Sequence, residues 1–218
     1  MRPANQIPGL FRSLTKSLRK GGATQALDMY FDESFADDLE NWGVDHVWPE
    51  IALLLAARQG TVLDLACGSG NAYDFIKQNP ALEYFGCDIS SGLIKRAARR
   101  GILEDRLRVM DATKLEYSDK SFDFVFSIGS LEHFTEAGLT ATIAETHRVC
   151  RGVNFHMVPV SASQYDEGWI IRTQSYWNNS VEWWTNKFAR SFGSRVWVMH
   201  SKWRDGESRG IWLIAASV

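Results

Sequence analysis

No uninterrupted run of roughly 18 apolar residues, the length that spans a bilayer, occurs in the 218-residue chain, so no segment reads as a membrane-spanning helix. Charge of one sign is equally scarce. The 24 basic and 26 acidic residues leave a formal net charge of -2, which removes the broad electrostatic case for a nucleic-acid binder. The three cysteines (Cys67, Cys87, Cys150) are odd in number and lack CxxC spacing, which argues against a disulfide framework and for reduced thiols in a cytoplasm. The histidines at 46, 133, 147, 156 and 200 are dispersed, so no metal site is expected. The N-terminus has no apolar signal core, and export is not expected. There is no internal repeat. With 45% hydrophobic residues and little net charge, the chain is too apolar for disorder and long enough for one domain with a full core.

Aromatic side chains are unevenly spread. Of the nine tryptophans, Trp42 and Trp48 come early, whereas Trp169, Trp177, Trp183, Trp184, Trp197, Trp203 and Trp212 crowd the C-terminal third. Large flat side chains favour interfaces and ligand walls. Basic residues are also uneven: Arg2, Arg12, Lys16, Arg19 and Lys20 precede the first acid, Asp28. Leu10, Phe11, Leu14 and Leu18 place an apolar face on a helix there, suited to packing on the domain or to touching anionic lipid.

The pattern next predicts a helix over 25–40 and another starting at Pro49 and stopping before Gly60. From there short apolar strands alternate with helices. Strands are expected at 61–66, 84–88, 107–111, 122–128 and 153–160. Helices are expected for about two turns through Tyr73, Phe75 and Ile76, closed by Asn79-Pro80, then from the cap at Ser90 or Ser91 up to Gly101, and near 136–149. Such alternation means right-handed crossovers and a mostly parallel sheet covered on both faces. After a long stretch at 161–192, strands at 195–203 and 210–218 have only a hydrophilic link, so they should form an antiparallel hairpin.

Val62-Leu63-Asp64-Leu65-Ala66-Cys67-Gly68-Ser69-Gly70 is the strongest local signal. Glycines at a strand-to-helix turn permit a tight bend and close backbone approach to a ligand beyond the strand tips. Asp88 follows Gly70 by 18 residues and ends the second strand, where an acid accepts from two ribose hydroxyls; Asp111 ends the third. A nicotinamide dinucleotide shares that acid. Its third glycine is replaced here by Tyr73, and Asp64 near the turn would repel a pyrophosphate but suit a cation.

These residues resemble the class I S-adenosylmethionine-dependent methyltransferases over roughly 49–218. Asp64 to Gly70 resembles the first motif, Asp88 the ribose acid, Asp111-Ala112 the adenine position, and Phe122 to Ser127 through Leu131-Glu132-His133-Phe134 the fourth strand and its loop. The resemblance implies a Rossmann-like, doubly wound α/β sheet of seven strands. It would be mostly parallel, with an antiparallel C-terminal strand and helices on both faces. It implies S-adenosylmethionine as cofactor, held by Asp64, Ala66, Gly68, Gly70, Asp88, Ile89, Asp111, Ala112, Ser127 and Ile128, with Tyr30 reaching its carboxylate. It divides the chain into an N-terminal helical extension or lid (1–48) and a methyltransferase domain (49–218) with an acceptor-side insertion (161–192).

Methyl transfer is in-line displacement at a sulfonium, so placement dominates and a base is needed only if the acceptor loses a proton. His133, beyond strand four, is the candidate base. Glu132, Tyr165, Trp169, Tyr176, Trp177 and Trp184 are candidates for acceptor contact, although Trp183, Trp184 and Phe188 also fit the buried face of a helix. His156 and His200 alternate with apolar residues and read as structural, and Cys67 reads as packing. The expectation is a cytoplasmic enzyme that methylates a small molecule on oxygen or nitrogen, with no nucleic acid and no stable membrane insertion. Its alternatives are a nicotinamide-dependent oxidoreductase and a catalytically silent cofactor-binding module.

Overall fold

The structure, a computed structural model, describes residues 24–25, 27–42 and 47–217. The basic helix expected around Leu10, Phe11, Leu14 and Leu18 lies outside them. The chain forms β1 (Gly60–Leu65), β2 (Leu82–Asp88), β3 (Leu107–Val109), β4 (Phe122–Ile128), β5 (Cys150–Ser161), β6 (Trp169–Ile170), β7 (Tyr176–Trp177), β8 (Val196–Arg204) and β9 (Ser208–Ala216). β6 and β7 pair only with each other, and the other seven make the main sheet in the order β3-β2-β1-β4-β5-β9-β8. β1 to β5 pair in parallel, and β9 runs antiparallel to both β5 and β8. This is the expected doubly wound sheet.

The N-terminal part departs from the expected single helix over 25–40. A 3-10 turn spans Asp28–Phe31, and Asp32 then caps a separate helix, α1 (Glu33–Asn41), by accepting from the amides of Ser34 and Phe35. The next helix, α2 (Val47–Leu55), begins two residues before Pro49, which sits in its first turn.

Alternate strand residues feed two cores, which is why the strands read as continuous apolar runs. On one face Val62, Phe124, Phe126, Phe155 and Trp212 pack under α2, α3 (Tyr73–Ile76) and α4 (Ser91–Ala98). On the other, Leu63, Leu65, Val125, Val158 and Leu213 pack under α5 (Glu136–Val149) and α6 (Val181–Phe192). The stretch 161–192 is therefore not one insertion. It holds the small β6–β7 hairpin followed by α6, whose Trp184, Phe188 and Phe192 are fully buried in the core.

Candidate active site

Parallel strands leave their carboxyl ends along one edge, and a cavity of about 340 Å³ opens there. The turn after β1 forms one wall. Ala66 and Gly68 both adopt left-handed backbone, with φ of +55° each. Among the described residues, a Cβ added at Gly68 would meet nothing within 4 Å, so this turn faces open space. Asp88, only 7% exposed, accepts from Gly68 N at 2.9 Å through Oδ2 and from Ser90 N at 2.8 Å through Oδ1. Burial raises its carboxyl pKa, and these amides counter the shift. Each oxygen keeps a lone pair for a ligand.

Ile89, Asp111, Ala112 and Ile128 continue this wall. Asp111 lies in the turn beyond β3, its Oδ1 accepting from Thr113 N and Oγ1 at 2.8 Å each. Tyr30 also lines the cavity and accepts at 3.3 Å from Gln174 Nε2; burial pushes its hydroxyl up to about 12.

Three expected cofactor residues stand behind the wall. Asp64 does not line the cavity: it is 4% exposed and accepts at 2.7 Å from Tyr84 Oη, and burial pushes its carboxyl up to about 8. Its carboxyl is thus engaged by Tyr84 within the sheet. Gly70 is also absent from the lining, because it serves packing; a Cβ there would lie 3.1 Å from that of Ala97 in α4. Ser127 is fully buried, with its Oγ 2.8 Å from His156 Nδ1.

Among the acceptor candidates, Glu132 and Tyr176 line the cavity, as does His133, the candidate base. Tyr165 is 77% exposed and does not. Trp169, Trp177 and Trp184 do not either, for they form an aromatic row with Trp183, with ring centroids 5.1, 5.2 and 5.0 Å apart in succession. Trp177 donates to Phe134 O at 2.9 Å and Trp184 to Pro159 O at 3.0 Å, so their polar edges are used within the fold.

Other residues take the places left by these. Trp42, Trp48 and Trp203 line the cavity from the end of α1, from α2 and from the end of β8. Trp42 lies against Gly129 just beyond β4, where an added Cβ would sit 3.0 Å from the indole, and Gly129 has a φ of +63°. Only glycine accommodates both that backbone and that approach readily. Arg172 enters from the small hairpin, pairs with Glu207 at 2.8 Å and leaves its buried Nε without a partner among the described residues. Arg100 fastens the glycine turn from just beyond α4, donating to Ser69 O at 2.7 Å and pairing with Asp74 and Asn71. Asn71 in turn donates to Leu39 O at 2.8 Å, tying the turn to α1. Spacing carries no signal for these partners, which come from separate elements.

Residues 62–152 match the family model of a methyltransferase domain. That match supports a class I S-adenosylmethionine-dependent methyltransferase. Its nicotinamide alternative falls with that match. The methyltransferase is 32% identical over 123 residues to a tRNA (carboxymethyluridine(34)-5-O)-methyltransferase of Arabidopsis thaliana, a stretch covering 55% of this chain and 29% of that protein. It is 34% identical over 91 residues to the protein of the same name in Saccharomyces cerevisiae, covering 40% and 31%. The matched stretch thus spans under a third of the length of these curated relatives. In fold it is similar to Burkholderia thailandensis 1,6-didemethyltoxoflavin-N1-methyltransferase, with a TM-score of 0.66, 15% identity and coverage of 84% of each chain.

These relatives correct one expectation. A small-molecule acceptor with no nucleic acid does not stand, because the two curated relatives named above are methyltransferases of tRNA. The balanced net charge misled here, since it averages over the chain and hides local basic segments. The cofactor half of the cavity does suit S-adenosylmethionine: Asp88 has acceptor capacity for a ribose, Ile89 and Ala112 offer apolar surface, and Gly68 leaves room at the turn. Among the described residues no helix is long and apolar enough to cross a membrane, and no three metal-ligating side chains gather.

Proposed function

We propose that the protein transfers a methyl group from S-adenosylmethionine to an acceptor carried on a tRNA. The observation that carries the methyl-transfer half is the Asp88 carboxylate held by the Gly68 amide at an open left-handed turn beyond β1. The acceptor half is supported by the tRNA methyltransferases among the relatives. The bound cofactor supplies a sulfonium methyl with a good leaving group. Ala66, Gly68, Asp88, Ile89, Asp111, Ala112 and Ile128 then orient it, with Tyr30 at its far side. Asp64, Gly70 and Ser127 support that wall from behind.

The acceptor enters beside Glu132, His133 and Tyr176, opposite Trp42 and Trp203. An aromatic wall suits an unstacked nucleobase, since RNA-binding sites commonly receive splayed bases on such rings. The strap from Asp28 to Trp42 acts as a lid and excludes water. Arg2, Arg12, Lys16, Arg19 and Lys20 precede it and supply phosphate contacts that the balanced overall charge does not. The free, buried cysteines suit a reducing cytoplasm.

Incubation with methyl-labelled S-adenosylmethionine and total tRNA, followed by nuclease digestion, tests this reading. Label is expected in one modified nucleoside. Tight binding of S-adenosylhomocysteine with unlabelled tRNA would instead remove the acceptor assignment, and lack of cofactor binding would remove the whole.

A further inference from the structure

The turn after β4 brings two ionisable side chains, Glu132 and His133, to the cavity. Their hydrogen bonding separates their roles. His133 Nδ1 lies 2.8 Å from Ser175 O, and a carbonyl only accepts, so this nitrogen carries the proton and the tautomer is set. Glu132 differs. It is 5% exposed, and its Oε2 has no hydrogen-bond partner among the described residues. Oε1 lies 3.7 Å from His133 Nε2, beyond hydrogen-bond reach. A buried polar atom without a partner is costly, and because Glu132 lines the cavity, a small turn of its carboxyl brings this oxygen to a ligand.

We propose that the Glu132 carboxylate takes up the acceptor's proton during methyl transfer, which makes the acceptor an N–H or O–H group. This rests on the methyl-transfer reading above. In the step, an acceptor lone pair forms a bond to the methyl carbon and the sulfur–methyl bond breaks, its electron pair staying on sulfur. The acceptor's proton passes to the Glu132 carboxylate. The cation and the carboxylate are consumed together, leaving a thioether, a methylated acceptor and a carboxylic acid, all uncharged at the reacting atoms.

The surroundings fit that role. Burial pushes the Glu132 carboxyl up to about 8, so its ionised form holds a proton well near neutrality. Burial lowers His133 to about 4, which leaves its imidazole a weak base. Tyr30 from the strap interacts electrostatically with Glu132, His133 lies beside it, and Asp88, Asp111, Tyr176 and the cationic Arg172 line the same cavity. A cationic methyl donor favours the carboxylate form.

Two measurements test the assignment. In single-turnover transfer to tRNA, Glu132→Gln is expected to slow the reaction by about 100-fold or more and to abolish its ionisation in the pH–rate profile. S-adenosylhomocysteine affinity should stay within about threefold. His133→Asn should keep the ionisation. Infrared difference spectra of the cofactor-free Asp64→Asn protein, which lacks the other carboxyl raised by burial, should show a carboxylic-acid carbonyl band that titrates near pH 8 and is missing when Glu132→Gln is added. A Glu132→Gln enzyme with wild-type rate and pH profile overturns the proposal, as does absence of that band. If the wild type labels no tRNA, the acceptor reading falls, and the infrared band alone then judges Glu132.

Discussion

Tyr30 and Gln174 stand 144 positions apart in sequence and meet across the cavity, with Gln174 Nε2 donating to Tyr30 Oη at 3.3 Å. One belongs to the N-terminal strap and the other to the loop between β6 and β7. The contact joins two segments that otherwise reach the site independently.

Removing that bond should let the two segments separate more easily. A hydrogen bond of this kind contributes about 0.5–1.5 kcal/mol, so Tyr30→Phe is expected to speed S-adenosylhomocysteine release by about two- to tenfold. Stopped-flow displacement measures it. An unchanged release rate would show that the contact does not hold the cavity closed.

Asp88 is the proposed cofactor anchor. Asp88→Ala removes a charged acceptor from the ribose site and frees the Gly68 and Ser90 amides. Hydrogen bonds to charged groups contribute about 1.5–3 kcal/mol, so S-adenosylhomocysteine affinity should fall by about 10- to 100-fold or more by calorimetry. Unaltered affinity would refute the placement of the ribose.

Two tryptophans should separate core from site. Trp184→Ala empties a fully buried position and is expected to cost about 3–5 kcal/mol in chemical denaturation, with cofactor affinity of the folded protein kept. Trp203→Ala, on the cavity wall, should cost less stability and raise KM for tRNA by about tenfold, a loss of the size that base stacking supplies. The reverse pattern would exchange their roles.

Asp64 should write a pH dependence into stability. Its carboxyl has an ordinary value of 3.8 when unfolded and about 8 in the fold. Between those values the folded state binds one proton more, so the stabilising contribution, complete at low pH, drains away as pH rises. Asp64→Asn, which keeps an acceptor for Tyr84, should lose about 1–3 kcal/mol less than wild type between about pH 6 and about pH 8, by urea denaturation. Glu132 remains in both proteins, so the difference reports Asp64. Parallel losses would mean that Asp64 is ionised in the fold.

Much of the sheet is legible in the chain because its apolar runs are short and end in chemistry: Asp88 closes β2, and the glycines follow β1. The turn itself was readable, yet the direction of Asp64 was not, since its partner Tyr84 lies on the neighbouring strand and both residues look equally free in one dimension. Trp184 illustrates a second limit. An aromatic residue in a long connection suggests a ligand wall, and the same spacing fits a helix packed under a sheet, where α6 lies. Trp42 and Trp203 show the converse. Nothing local joins them, and they come within 6.3 Å, centroid to centroid, only after the terminal hairpin has joined the sheet.

Asn71 has a consequence for the order of events. By holding Leu39 O it couples the glycine turn mechanically to α1, whose Leu39 and neighbouring Trp42 overhang the pocket. Whatever steadies that loop also steadies the roof, so methyl-donor loading is expected to prepare the chamber for its second guest, and departure of the spent nucleoside to loosen both together.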